Sequence, residues 1–307
     1  MLESVEGTHS PSICTPLVGK NHKELLTELA DILLKKPDII EWRLDFYEEI
    51  QDMNSVLSAA KDIYENSERT PILLTVRSQK EGGQPISLSE KEVVAILAEV
   101  CKHPYVAIID FEVSNQPDHI RYLREVSKEN NKKLVLSYHN FSFTPPKAEI
   151  FKSLFLAEFY GADAAKAAVM PQNNQDVLTL LEATREAEKE LSIPLITMSM
   201  GGLGAISRIV GWMYGSSVTF AVGKSSSAPG QVPIDELRKI IQLTKKVTGP
   251  ESNHFHQFKS DHWSLGSKFP PLLTTDDLFD IVHNVSDTLL FEARGFSGHS
   301  QPILGKC

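Results

Sequence analysis

The sequence predicts an α/β protein built as a (β/α)8 TIM barrel followed by a C-terminal extension. Three observations carry that prediction. Eight short apolar runs recur along about 240 residues, segments of helical period separate them, and the two kinds alternate strictly. The runs are rich in Val, Ile and Leu without polar alternation, the mark of strands buried on both faces. Strict strand-then-helix order implies parallel pairing through right-handed crossovers, and eight such units describe a closed barrel. A doubly wound open sheet meets the same pattern less well. No G-x-G-x-x-G turn follows the first run, and the count of eight favours closure.

In chain order the predicted strands are SICTPLV (12–18), DIIEWRL (38–44), PILLTVR (71–77) and YVAIIDFEV (105–113). They continue with KLVLSYH (133–139), DAAKAAVM (163–170), PLITMSM (194–200) and SVTFAVG (217–223). Amphipathic stretches such as 22–36, 90–103 and 175–191 place apolar residues at i, i+3 and i+4, the stripe of a helix packed on a sheet. Ser89 with Glu92 forms a capping box at the start of the second of these.

The barrel is assigned to 1–250, with its pattern running from 12 to 248, and 251–307 is an extension of open role. The extension has no further strand–helix unit and holds five of the ten histidines: His254, His256, His262, His283 and His299. His-x-His makes a metal site conceivable there, but cysteine or carboxylate partners at ligand spacing are missing, and a packed or disordered tail with one short helix near 275–291 accounts for it as well.

Composition narrows the function. With 41% hydrophobic and 23% charged residues the chain reads as an ordinary soluble globular protein. A net charge of −9 supplies no basic face for nucleic acid or an anionic membrane, so a small molecule is the expected partner. Three cysteines, Cys14, Cys101 and Cys307, make neither a disulfide framework nor a thiolate site and fit a reducing cytoplasm. The polar start MLESVEGTHSPS lacks a signal-peptide core, and no apolar run reaches the length of a membrane span.

Barrel active sites sit at the carboxyl ends of the strands. Glu41 and Arg43 end the second run, Arg77 ends the third and leads into SQKEGGQP, His139 ends the fifth, and Lys166 lies in the sixth. Arg208 falls in the loop expected after the seventh run, and KSSSAPGQVP follows the eighth. Each has a structural alternative: Glu41 and Arg43 as a plain ion pair, His139 as a core histidine, Lys166 reaching for the mouth or pairing with Glu112. Lys166 is the sharpest candidate. A buried ammonium is costly and tends to become a neutral, nucleophilic amine. About one lysine in a thousand is free base at neutral pH, and lowering the pKa by about three pH units costs roughly 4 kcal/mol. Burial beside Arg43, Arg77 or Arg208 is the expected source, which makes a Schiff-base lysine the leading idea.

Six ordered motifs, EWRLDFYE, LLTVRSQKEGG, LVLSYHNFSFTP, KAAVMPQNNQDVLTLLEAT, PLITMSMGGLGAISRIVG and SSVTFAVGKSSSAPGQVPIDEL, resemble the type I 3-dehydroquinate dehydratases, (β/α)8 enzymes of the shikimate pathway of aromatic amino acid biosynthesis. The resemblance spans about residues 12–248. It implies that Lys166 forms an imine with the C3 ketone of 3-dehydroquinate, while His139 moves protons and is oriented by Glu81. It further implies that Glu41, Arg43 and Arg77 hold the substrate's hydroxyls, that Arg208 anchors its carboxylate, and that Ser227 and Gln231 belong to a closing loop. No metal and no cofactor is implied, and a cytoplasmic homodimer is expected. Two features depart from the family: Pro16 stands in CTPL where some members have a serine touching substrate, and the tail after 250 has no counterpart. A class I aldolase also places lysine on strand six, but phosphate-binding glycines after strands seven and eight are replaced here by Arg208 and SAPGQ. A catalytically silent barrel would dispense with Lys166 and His139, and both are present.

Overall fold

The computed structural model describes residues 10–248; the extension at 251–307, its five histidines and the helix expected near 275–291 lie outside the described residues. Nine strands are present among the described residues: β1 Ser12–Leu17, β2 Ile39–Arg43, β3 Ile72–Thr75, β4 Ile108–Glu112, β5 Lys133–Asn140, β6 Ala164–Val169, β7 Leu195–Ser199, β8 Val218–Val222 and the two-residue β9 Val232–Pro233. They run parallel in the order β7-β6-β5-β4-β3-β2-β1-β8-β9. A parallel bridge between Leu195 and Ser216, with the Ser217 N–H donating to the Leu195 carbonyl at 2.7 Å, brings β7 beside β8 and closes the cylinder. The TIM-barrel prediction holds, with β9 as a short strand the sequence pattern gave no sign of.

Eight α-helices among the described residues surround it: α1 His22–Leu33, α2 Met53–Asn66, α3 Glu90–Cys101, α4 Pro117–Glu129, α5 Lys147–Phe159, α6 Asn174–Glu190, α7 Gly201–Val210 and α8 Ile234–Thr248. None is long and apolar enough to cross a membrane. Several boundaries differ from the apolar runs for local reasons. The run 105–113 yields a strand only from Ile108; ahead of it the half-buried Tyr105 stacks on His103 with ring centroids 5.2 Å apart. α1 stops at Leu33 rather than Lys36, whose left-handed φ of 50° takes the chain out of the helix. The Ser89–Glu92 capping box forms as predicted, with both reciprocal bonds made. α6 starts at Asn174 because the Asn173 side chain accepts from the Asp176 N–H.

Strand alternation divides the apolar residues into two cores. Outward residues such as Ile40, Trp42, Leu74, Leu136, Ala165 and Ala167 pack under the helices. Inward residues, among them Ile39, Leu73, Ile108, Val135, Ala164 and Val218, fill the barrel and form the floor on which the polar site stands.

Candidate active site

Two residues further along five of the strands, the apolar floor gives way to polar side chains. β2 to β6 contribute Glu41, Thr75, Asp110, Ser137 and Lys166, and cross-strand register sets Thr75 opposite Asp110 and Ser137 opposite Lys166. All five are buried. Above them opens a cavity of about 430 Å³, including its mouth. Its walls include Glu41, Arg43, Arg77, Glu81, His139, Lys166, Arg208, Ser227 and Gln231, so all nine residues singled out in the sequence meet in one place.

Lys166 projects inward between Ala164 and Ala168. Its Nζ lies 3.3 Å from Glu41 Oε1, 3.4 Å from Asp110 Oδ2 and 4.4 Å from the centroid of the Phe220 ring. This corrects the expected surroundings. Two carboxylates and an aromatic face contact the amine, where the sequence reading put arginines, and the alternative partner Glu112 is engaged with Arg77 instead. Glu41 also accepts from the Thr75 hydroxyl at 3.0 Å. Asp110 accepts from Arg77 Nη2 at 2.7 Å and Ser137 Oγ at 2.6 Å. Burial works to raise the Asp110 pKa, but Arg77 and Lys166 outweigh it and hold the group below its usual range.

The arginines behave differently from one another. Arg77 is a hub: besides Asp110, its Nη1 donates to Glu112 at 3.2 Å and to Ser137 at 2.8 Å. Burial favours the neutral guanidine, and the surrounding carboxylates Asp110, Glu112, Glu81 and Glu41 reverse this and raise its pKa. Arg43 makes a bidentate pair with Asp45 through Nε and Nη2, both at 2.8 Å, rather than a pair with Glu41. Arg208 lies in α7, not in a loop after β7, because the helix begins directly at Gly201. It is 2% exposed and has no carboxylate partner among the described residues. Its donors reach only Met198 Sδ at 3.3 Å, the Phe220 carbonyl at 3.4 Å and the Pro229 carbonyl at 3.2 Å, and Nε has no acceptor. Burial therefore lowers its pKa to about 10, which still leaves it cationic at neutral pH.

His139 closes the constellation. Its backbone N–H donates to Glu81 Oε2 at 2.9 Å, and its Nδ1 meets the same oxygen at 3.0 Å. Burial, then the positive charges of Arg77, Lys166 and Arg43, push the His139 pKa well below its ordinary value, so the ring is neutral. A neutral ring with Nδ1–H directed at Glu81 leaves Nε2 as a lone pair for the cavity. Burial and the nearby Glu112 raise Glu81 to about 7, against the opposing pull of Arg77.

The segment after β8 covers the cavity with Ser227, Ala228 and Gln231. Gln231 Oε1 accepts from the Ser227 N–H at 3.2 Å, and the Gly201 N–H donates to the Pro229 carbonyl at 3.1 Å. Gly230, at φ 76°, fits because a Cβ there would stand 2.1 Å from the Gly201 carbonyl. Sequence reasoning missed Asp110, Asp45 and Ser137. For Asp110 and Ser137 the available signal was a charged or hydroxyl residue at an inward period-two position of a strand otherwise buried on both faces, whereas Asp45 lies in the 3-10 turn after β2 and carries no such signal. Among the described residues no group of three or more His, Cys, Asp and Glu is arranged to hold a metal ion.

Comparison with known proteins follows the same outline. Residues 13–248 match the family model described as type I 3-dehydroquinase. A 3-dehydroquinate dehydratase of Geobacillus sp. (strain WCH70) is 51% identical over 247 residues, covering 79% of this chain and 95% of its own. The crystal structure of the 3-dehydroquinate dehydratase from Geobacillus kaustophilus HTA426 superposes with a TM-score of 0.77 at 45% identity, over 78% of this chain and 93% of that one. The type I 3-dehydroquinate dehydratase of Clostridium difficile, solved with covalent modified comenic acid, gives 0.74 at 38% identity, over 78% and 95%.

Proposed function

The chain belongs to the type I 3-dehydroquinase family and is a hydro-lyase of the 3-dehydroquinate dehydratase class, and from that premise we propose that it converts 3-dehydroquinate to 3-dehydroshikimate through a Schiff base on Lys166. The observation that carries the proposal is Arg208. A buried guanidinium without an anionic partner among the described residues faces the same cavity as an amine and a neutral imidazole. That arrangement suits a ligand bearing a carboxylate at one end and a carbonyl at the other.

In the proposed cycle the Lys166 amine adds to the C3 ketone, and loss of water gives an iminium. Glu41 and Asp110 stand within reach to take the amine's protons and to face the new cation. The iminium acidifies the C2 proton, which moves to Nε2 of His139, and the electron pair rests in the enamine. Glu81 accepts Nδ1–H and steadies the imidazolium, as a carboxylate behind a catalytic histidine does. The enamine then expels the C1 hydroxyl, which leaves as water with the proton from His139, and hydrolysis of the conjugated imine restores Lys166. Arg208 binds the carboxylate and fixes the ring. Arg43 keeps Nη1 for a substrate hydroxyl, and Glu41 and the uncommitted donors of Arg77 complete that end. Ser227 and Gln231 exclude water from above. The reading carries with it a cytoplasmic homodimer serving aromatic amino acid biosynthesis.

The decisive test combines two measurements. The conjugated enone product is followed by its absorbance, and borohydride added during turnover reduces the imine to a stable secondary amine that peptide mass mapping locates. A label on Lys166 is the expected result. Product formation with no label, or with a label on Lys80 or Lys224, overturns the Schiff-base assignment.

A further inference from the structure

The Glu81 carboxylate has two oxygens with separate duties. Oε2 accepts from the His139 backbone and faces Nδ1, while Oε1 accepts the hydroxyl of Ser114 at 2.8 Å. Ser114 lies in the turn that follows β4, two residues past Glu112, and no other group among the described residues donates to Oε1. Glu81 itself ends a single 3-10 turn, Gln79–Glu81, so its backbone does not fix the carboxyl's rotation. Arg77 Nη1 stands 3.9 Å from Oε2, beyond hydrogen-bond reach, and is already spent on Glu112 and Ser137.

We propose that Ser114 is a positioning residue for proton transfer: its hydroxyl holds Oε1 so that Oε2 stays on Nδ1 of His139 and Nε2 points at the substrate. The proposal rests on the reading of His139 as the proton-transfer group. Two physical effects of the hydroxyl act together. The first is geometric. With Oε1 unheld, the carboxyl turns toward the Arg77 charge, and each degree of that rotation weakens both bonds to His139. The second concerns protonation. The titratable and charged groups facing Glu81 are Glu112 from β4, Arg77 after β3 and the neutral His139 from β5, and the charged groups facing His139 are Arg77, Lys166 and Arg43. Burial and Glu112 already favour the protonated carboxyl, and a donated hydroxyl favours the ionised form that can accept Nδ1–H. Loss of Ser114 removes a stabiliser of the working state at the pH where it is most contested.

Ser114→Ala tests this. The expected result is a kcat lowered about tenfold at pH 7, with the acid limb of the kcat profile moved up by about one pH unit and much of the loss recovered at pH 9. KM stays within about twofold, since Ser114 does not line the cavity, and Lys166 is still labelled by borohydride. Ser114→Thr, which keeps the hydroxyl, restores both rate and profile. Ser114→Cys, similar in volume with a weaker donor, falls between, and guards against a general packing effect. A wild-type rate and profile in Ser114→Ala overturns the proposal. So does a lowered kcat with an unmoved pH limb, because a purely structural lesion leaves the titration in place. His139→Ala is the control for the underlying reading. If it retains turnover, the role of His139 falls; if it is inactive while Ser114→Ala is normal, only the role of Ser114 falls.

Discussion

Arg208→Met separates the cost of the site from its use. The guanidinium is 2% exposed, lacks an anionic partner among the described residues, and is drawn down by burial to a pKa of about 10. At ~1.36 kcal/mol per pH unit the charge carries roughly 3 kcal/mol of unrelieved desolvation. Against this stand three long contacts, to Met198 Sδ, the Phe220 carbonyl and the Pro229 carbonyl, together about 1.5 kcal/mol when each counts, at such length, for the low-end net value of ~0.5 kcal/mol. Methionine fills most of the volume without a charge. The variant is therefore expected to be more stable by about 1 kcal/mol, a rise in Tm of about 2–4 °C for a barrel of this size. Its KM for 3-dehydroquinate rises ~10²-fold or more, and its kcat falls because the ring is no longer fixed. Differential scanning calorimetry with and without product reads both effects: the wild type gains Tm with ligand by mass action, and the variant does not. A Tm lowered by more than ~5 °C, or undiminished stabilisation by product, would refute the assignment of Arg208 as an unpaired cation kept for a carboxylate.

Further outcomes follow from the same geometry. Lys166→Met folds, since it opens no cavity and Glu41 and Asp110 keep their donors Thr75, Arg77 and Ser137, and loses nearly all turnover in the enone assay. His139→Ala loses turnover by ~10² or more yet still forms the borohydride-trapped adduct, because the proposed cycle places imine formation and proton transfer on different side chains. The His139 pKa lies below its ordinary value, so the imidazole is neutral at pH 6.5; between pH 7 and 6 the loss of kcat/KM tracks Glu81, near 7, and Glu81→Gln abolishes that limb. A chain ending near Gly249 retains activity within a few fold, as every site residue precedes residue 232 and the family match ends at 248; a folded but inactive shortened chain contradicts this.

Much of this was legible in the sequence because a parallel barrel writes itself plainly. Buried strands read as unbroken apolar runs, and the polar residues that interrupt them at the carboxyl ends have few places to go but the mouth. Pairing was harder to read. Glu41 and Arg43 are neighbours in sequence and on one strand face, yet Glu41 meets Lys166 on β6, because partners inside a barrel are chosen across the cylinder and by strand stagger, while Arg43 turns to Asp45 in the 3-10 turn that follows β2. Asp110 escaped notice for the same reason. In YVAIIDFEV it looks like one more residue near a strand end, and only the inward alternation Ile108, Asp110, Glu112 marks it as a neighbour of Lys166 and Arg77. Ser114, in a turn, carries no periodic signal at all.

The alanines around Lys166 have two separate causes. Ala165 and Ala167 face outward, fully buried against the helical shell, where small residues let α5 approach β6 closely. Ala164 and Ala168 face inward: Ala164 belongs to the floor, and Ala168 lines the cavity just above the amine. A large residue at 168 would occupy the space a substrate ring needs, and a large residue at 164 would force Lys166 off its two carboxylates. Small neighbours therefore do not serve to keep the lysine in an apolar wall, since Glu41 and Asp110 provide it with charge at 3.3 and 3.4 Å. They leave one side of the amine open. In the proposed cycle the charged side holds Nζ in place before the ketone arrives and faces the iminium afterwards, so the resting ion pairs and the covalent intermediate would draw on the same carboxylates, with preorganisation built before substrate binds.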